Sequence, residues 1–290
     1  MQKAESIETG CIPLDNCNEN GSSKLGSRHV SKPWGRIHLP SEFETISTQP
    51  VGEVWFVGND RSPLLAKYLF TSENLSVQVH PNDEQARSRG YKSGKAECWL
   101  VIDAEPGALI GLGLRYDLTP DTLRRAVLNG SVEQLIAWRP VAAGDFFFVP
   151  PGTIHAIGAG ISILELQQNS DVTYRLYDYG RGRDLHLDEG IAVAQCDRYP
   201  ERLYQRVNPA TSTVLVDGPH FTVVHSRGDA LQGRDRLILP IDGYATVGEE
   251  IARPGECLLL LEHKRLDSVE GRILVAAASS VEAVLLQTAA

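Results

Sequence analysis

No apolar run in the 290-residue sequence approaches the roughly 20 residues that a membrane-spanning helix needs. Positive charge is in short supply: 28 basic side chains stand against 37 acidic ones, a net charge of −9. Without a basic patch, neither nucleic acid nor an anionic membrane is an expected partner. An anionic small molecule remains compatible, because a few local Lys and Arg can hold a phosphate inside an acidic protein. The five cysteines (Cys11, Cys17, Cys98, Cys196 and Cys257) include no CxxC pair, and their odd number fits no simple disulfide framework. Reduced thiols and a cytoplasmic location are therefore expected. The first residues contain no apolar stretch of the kind a secretory leader carries. Neither a glycine-rich nucleotide loop nor a full-length internal repeat is present. What is there is ordinary for a globular chain, 42% hydrophobic and 22% charged residues, enough to bury a core without staples.

Residues 1–30 are rich in Ser, Asn, Gly, Glu and Lys without periodicity and read as a flexible tail. From Lys32 the chain becomes short apolar or alternating runs punctuated by Gly, Pro, Asn and Asp, the pattern of a β-sandwich or barrel. Two segments break it. Asn82 to Arg89 predicts a short helix. Thr119 to Trp138 predicts one or two, with Thr119 as N-cap, Pro120 at the first helical position and Asn129-Gly130 as a stop. This helical insertion, about 117–139, interrupts an all-β unit over 31–204. Strand-like runs resume after Tyr204 and predict a second, reduced β-domain over 205–290.

Three segments carry chemistry. In Leu75 to Asp83 (LSVQVHPND), alternation along a strand puts Gln78 and His80 on one face and Val77 and Val79 on the other. Two inward polar side chains need partners, since bare burial costs about 1–3 kcal/mol each. A metal ion is one such partner. In Lys95 to Trp99 the same alternation puts Lys95, Glu97 and Trp99 together. If this strand neighbours the Gln78 strand, Glu97 supplies a carboxylate ligand. In Gly144 to His155 an apolar strand runs into a Pro-Pro-Gly turn that presents His155. Gln, His, Glu and His make a four-ligand N/O set that suits Zn²⁺ and other divalent ions. Taken singly, each of these residues reads equally as a strand surface residue, a rim carboxylate or a turn cap. Their order within a β-rich chain is what favours the site. Glu165, Gln167, Asn169 and Asp171 share one face of an extended run, which would line a polar cavity.

These segments resemble the cupins. Gly144 to His155 fits the second cupin motif, G-x5-P-x-G-x2-H, although Ala159 stands where an Asn usually follows. The first motif here reads Gln-x-His with Glu97 further on. That variant, together with KPWG at 32–35, GEVW at 52–55, GKAECW at 94–99 and LQQNSDVTYRLYDYGR at 166–181, resembles the mannose-6-phosphate isomerase family. The likeness is strong over Lys32 to Gln195 and only general beyond. It implies a jelly-roll cupin with Zn²⁺ on Gln78, His80, Glu97 and His155. It aligns Arg175 with an active-site arginine, Lys95 with an active-site lysine, and Glu165 and Asp171 with acidic positions of the family. It further implies a hexose 6-phosphate substrate, interconversion of mannose 6-phosphate and fructose 6-phosphate, and a monomer or weak homo-oligomer. The alternatives are a cupin enzyme for another substrate and a non-catalytic sugar-phosphate binder. Among the remaining histidines, His186 is the best outsider for a pocket role.

Overall fold

The computed structural model describes residues 22–43, 47–57 and 62–279. Cys11 and Cys17 lie outside them. In chain order the strands are β1 (Ser22–Lys24), β2 (Gly26–Arg36), β3 (Val51–Val57), β4 (Leu64–Phe70), β5 (Val77–Val79), β6 (Glu97–Ala104), β7 (Leu109–Leu114), β8 (Ile136–Pro140), β9 (Asp145–Val149), β10 (His155–Ile157), β11 (Ile161–Gln168) and β12 (Tyr174–Tyr177). Then come β13 (Tyr204–Arg206), β14 (Thr213–Asp217), β15 (Phe221–Ser226), β16 (Arg236–Val247), β17 (Glu250–Ala252), β18 (Leu258–Leu260) and β19 (Ser268–Ala278). The helices are short: α1 (Asp83–Arg87), α2 (Pro120–Leu128), α3 (Val132–Leu135) and α4 (Leu187–Val193). None in the described residues is long and apolar enough to cross a membrane.

The strands form three antiparallel layers. A central seven-stranded sheet runs β13-β9-β6-β11-β4-β3-β2. A five-stranded sheet, β12-β5-β10-β7-β8, faces one side of it. The third sheet runs β1-β18-β16-β19-β15-β14, with β17 paired to β16, and covers the other side. Alternation in the central strands assigns side chains to the two interfaces. Trp99, Val101, Phe147 and Ile163 pack with Ile110 and Leu112 of the facing sheet. Their neighbours Cys98, Leu100, Phe146 and Leu164 pack with Leu237, Leu239 and Leu274 of the third sheet. The central sheet is thus buried on both faces. That is why LLAKYLF (β4) and ISILELQQ (β11), buried throughout, show no clean polar alternation. Each large side chain so buried stabilises the fold by about 1.5–3 kcal/mol.

The helices form where caps allow. Asn82 accepts from the Gln85 N–H while the Gln85 side chain accepts from the Asn82 N–H, a capping box that starts α1. Thr119 accepts from the Thr122 N–H and Pro120 opens α2. Gly130 then takes φ +77°, the left-handed conformation that ends it.

Two expectations change. The flexible tail expected over 1–30 is replaced from Ser22 onward by strands. Ser22–Lys24 pairs with Leu258–Leu260 and so completes the third sheet, and Gly26–Arg36 is the edge of the central one. Local composition could not reveal strands whose stability comes from partners far along the chain. The expected helical stretch also ends earlier. Ile136 to Trp138 is strand, because it pairs with β7.

Candidate active site

Between the central and facing sheets lies a cavity of about 200 Å³. β5 and β10 of the facing sheet run antiparallel, with Gln78 opposite His155. β12 pairs β5 on its other side, with Arg175 opposite Gln78. His80 follows β5 directly and is buried. Glu97 opens β6, which belongs to the central sheet. The expectation that the Glu97 strand neighbours the Gln78 strand is therefore corrected. The two lie in facing sheets, and Glu97 reaches the histidines across the barrel interior.

The ligand-type atoms of His80, Glu97 and His155 all lie within 4.8 Å of one another. The Nε2 of His80 is 3.4 Å from Glu97 Oε2, and that of His155 is 3.3 Å from Glu97 Oε1. The tautomers follow from the opposite ring nitrogens. His80 Nδ1 lies 2.9 Å from the Val172 carbonyl oxygen and His155 Nδ1 2.9 Å from that of Thr153. A carbonyl only accepts, so each Nδ1 carries the proton and each neutral Nε2 offers its lone pair to the centre. Burial, with Lys95 acting in the same direction, holds His80 neutral by pushing it down to about 3. Burial also lowers His155. The Glu97 oxygens are buried and accept no well-formed hydrogen bond. Burial alone would raise this carboxyl, but Lys95 and then His80 hold it well below its ordinary range. Two lone pairs and an ionised carboxylate converge, with Lys95 Nζ 3.2 Å from His80 Nε2 and 2.9 Å from Glu97 Oε2, and this set of ligand atoms fits a divalent cation. Gln78 lies with its amide nitrogen 3.2 Å from His155 Nε2. An amide flip would turn its oxygen the same way.

The other expected residues line the same cavity. Lys95 Nζ lies 2.9 Å from Glu97 Oε2 and 3.6 Å from Glu165 Oε1. Burial raises Glu165 to about 8, with Lys67 opposing and Glu97 adding to the rise. Asp171 sits exposed at the rim and Arg175 lines the wall. The polar run expected over 165–171 is shorter than its sequence suggests. The strand ends at Gln168, Asn169 turns out to bond the Ser62 carbonyl, and Gln167 braces the turn through the Gln168 and Ser170 carbonyls. His186 accepts from the Arg175 backbone N–H at 3.2 Å and is not among the cavity-lining residues. Ala159 donates its N–H to the Asn74 side chain, so an Asn from elsewhere in the chain ties this turn.

Sequence reasoning passed over four charged cavity residues: Lys32, Glu53, Lys67 and Arg183. Lys67 is buried, 3.4 Å from Glu165 and 3.9 Å from Glu53, with its ammonium 5.4 Å from the centre of the Trp55 ring. Glu53 also accepts from the Trp55 indole at 2.6 Å and pairs with Lys32 at 3.5 Å. The available signal was a lone lysine within the apolar run LLAKYLF.

No family model matches the chain. Mannose-6-phosphate isomerase ManA of Bacillus subtilis is 43% identical over 174 residues, 57% of this chain and 55% of that protein. The chain thus spans about half the length of that relative. Mannose-6-phosphate isomerase of Streptococcus mutans is 37% identical over 242 residues, 69% of this chain and 76% of that protein. The chain belongs to the mannose-6-phosphate isomerase family. The crystal structure of mannose 6-phosphate isomerase from Bacillus subtilis superposes with a TM-score of 0.75 at 25% identity, over 90% of this chain and 100% of that one. A phosphomannose isomerase variant from Salmonella typhimurium matches with a TM-score of 0.72 at 15% identity, over 90% and 100%. That second likeness speaks to the fold alone. The fold is the cupin jelly roll of the mannose-6-phosphate isomerases, with its ligand-type cluster between the two sheets of the roll.

Proposed function

We propose that the protein is a Zn²⁺-dependent aldose–ketose isomerase that interconverts mannose 6-phosphate and fructose 6-phosphate. The observation that carries this reading is the pairing of a metal-ready cluster with two buried lysine–carboxylate groups in one cavity. Gln78, His80, Glu97 and His155 would hold the metal, which when bound supplies a Lewis acid for the substrate's carbonyl and hydroxyl oxygens. The rest is done by this chain's own side chains. Isomerisation moves a proton between C1 and C2 through an enediol. Glu165, buried and with its pKa raised towards neutrality, takes that proton from one carbon and returns it to the other. Lys95, next to Glu97 and Glu165, supplies positive charge where the enediolate oxygen develops. Asp171 at the rim orients sugar hydroxyls, and Arg175 presents donors to anionic charge. Trp34, Leu69, Trp99 and Ile157 wall the cavity and exclude water from the reacting carbons.

Residues 31–204 form the catalytic unit in this reading and 205–290 a cupin-like unit that backs it. A cytoplasmic place of action agrees with the unpaired Cys98, Cys196 and Cys257. The test is a coupled assay of fructose 6-phosphate formation from mannose 6-phosphate. It compares the purified protein, chelator-stripped protein and Zn²⁺-reconstituted protein, with His80→Ala and Arg175→Ala alongside. Activity that Zn²⁺ restores and both substitutions abolish is expected. Zn²⁺ binding through His80 without turnover would refute the isomerase assignment.

A further inference from the structure

The segment after β12 is built around one carboxylate. Asp178 is buried, and the chain curls about it through left-handed conformations at Tyr179 (φ +53°), Gly180 (+75°) and Gly182 (+75°). A tyrosine at positive φ is strained by about 1–2 kcal/mol, a cost that such sites retain when the geometry serves a purpose. The curl brings two arginines to Asp178. Arg183 donates from Nε to Oδ2 at 2.7 Å and from Nη2 to Oδ1. Arg181 Nη2 lies 3.0 Å from Oδ1 and also donates to the Asn74 carbonyl at 2.7 Å.

The two arginines differ in what they face. Arg183 lines the cavity together with Arg175, whereas Arg181 is not among the lining residues. Arg175 donates from Nη1 to the Asp184 carbonyl at 2.8 Å, and its Nε is buried without a partner. Arg183 makes no further hydrogen bond among the described residues, so two of its five N–H groups are engaged and the others are free. Elsewhere in the cavity Glu53, Glu97 and Glu165 are each matched to a lysine. Asp178 is shared by Arg181 and Arg183, and Arg181 is also matched by Glu73 at 3.6 Å. Arg175 and Arg183 are thus the two guanidinium side chains that line the cavity with N–H groups still free of protein acceptors. Fixed guanidinium forks of this kind match the oxygens of a phosphate.

We propose that Arg183, fixed by Asp178, is the substrate-specificity residue that binds the 6-phosphate, sharing it with Arg175. This rests on reading the cavity as a hexose 6-phosphate site. The metal-ready cluster then takes the C1–C2 end and the arginine wall takes the charged end. Mannose lacking the phosphate would leave the free N–H groups of Arg175 and Arg183 without an acceptor, which is how the site would discriminate against it.

The test uses the full-length, Zn²⁺-loaded protein with Arg183→Gln, Arg183→Lys and Asp178→Asn. Three readouts are taken: kcat and KM for mannose 6-phosphate, competition by inorganic phosphate, and metal content. Arg183→Gln is expected to raise KM roughly 10- to 100-fold, far more than it lowers kcat, as for loss of one charge-assisted contact. It should weaken inorganic phosphate inhibition in parallel and leave bound metal unchanged. Arg183→Lys should recover part of both losses, and Asp178→Asn, which frees the fork, should give a smaller rise in KM. If kcat falls while KM and phosphate affinity hold, Arg183 only braces the loop and the proposal is overturned. If the wild type turns over no mannose 6-phosphate, direct calorimetric titration with inorganic phosphate separates the two ideas. Phosphate binding lost in Arg183→Gln keeps the anion site while the isomerase reading falls, and binding unaffected by Arg183→Gln sinks the anion site.

Discussion

Replacing Lys67 with methionine should destabilise the protein by about 3–5 kcal/mol, the usual loss when one partner of a buried ion pair is removed. The magnitude follows from its surroundings. Lys67 lies in the middle of β4, side chain 4% exposed, with carboxylates 3.4 and 3.9 Å away on Glu165 and Glu53. Once Glu165 is ionised, a pair at 3.4 Å in an effective dielectric of 20 attracts by about 5 kcal/mol before desolvation is counted. Burial would strip the lysine's charge, but Glu165 and then Glu53 reverse this and raise its pKa. Methionine fills similar space, so the loss reports charge and not a cavity. The pH dependence has a definite sign. Burial already raises Glu165 to about 8, and losing Lys67 raises it further. A carboxyl with a raised folded pKa contributes stability that is present below its unfolded pKa and lost as pH rises through the folded one. The deficit should therefore be smaller at pH 5, where Glu165 is protonated with or without Lys67, and grow as pH rises past about 8. Urea unfolding at several pH values measures it, and adding Glu165→Gln to Lys67→Met should recover a large part. A loss under about 1 kcal/mol, or one that shrinks with rising pH, would refute a charged Lys67 between two ionisable carboxyls.

The metal-free protein should lose stability as pH falls from about 6.5 towards 3, because His80 and His155 stay neutral when folded but protonate in the unfolded chain. His80 contributes a slope approaching about 1.4 kcal/mol per pH unit in that window, and His155 adds in the same direction. Thermal melts between pH 7 and 4 check this, and a flat midpoint would contradict it. Gly94→Ala should destabilise the protein by about 1–3 kcal/mol. Its Cβ would lie 2.5 Å from the Pro81 carbonyl oxygen, wedging apart the segments that carry His80 and Lys95. Zn²⁺ affinity in a competitive chelator titration should fall with it. Asn82→Ala removes the α1 cap and should cost about 1 kcal/mol in chemical denaturation.

Of the four residues that would hold a metal, Gln78, His80 and His155 could be singled out because each sits where local rules apply. Period-two alternation aims Gln78 and His80 together, and a Pro-Pro-Gly turn presents His155. What alternation cannot supply is which sheet a strand joins, and so Glu97 arrives from the opposite layer. Lys67 escaped notice for a related reason. In a strand buried on both faces no polar side of the pattern marks where the cavity lies, and a lone lysine reads as an interruption. Ser22–Lys24 was hidden more deeply, because SSK carries no strand preference of its own. Its pairing is decided entirely by the free edge of β18. The class of fold, by contrast, needed only the density of short strands and turn residues.

That same edge pairing has a consequence for the order of assembly. Lys24 meets Glu256 through a contact spanning 232 residues of chain, so Ser22–Lys24 must wait for a partner strand that is made much later. Loop closure over that distance precedes any reward from the contact, which slows the step. Until β18 has formed, the Ser22–Lys24 segment has nothing to pair with, and until that segment arrives the edge of β18 is open to other chains. Removing residues 22–24 should therefore be felt less as lost stability than as a lower yield of monomeric refolded protein.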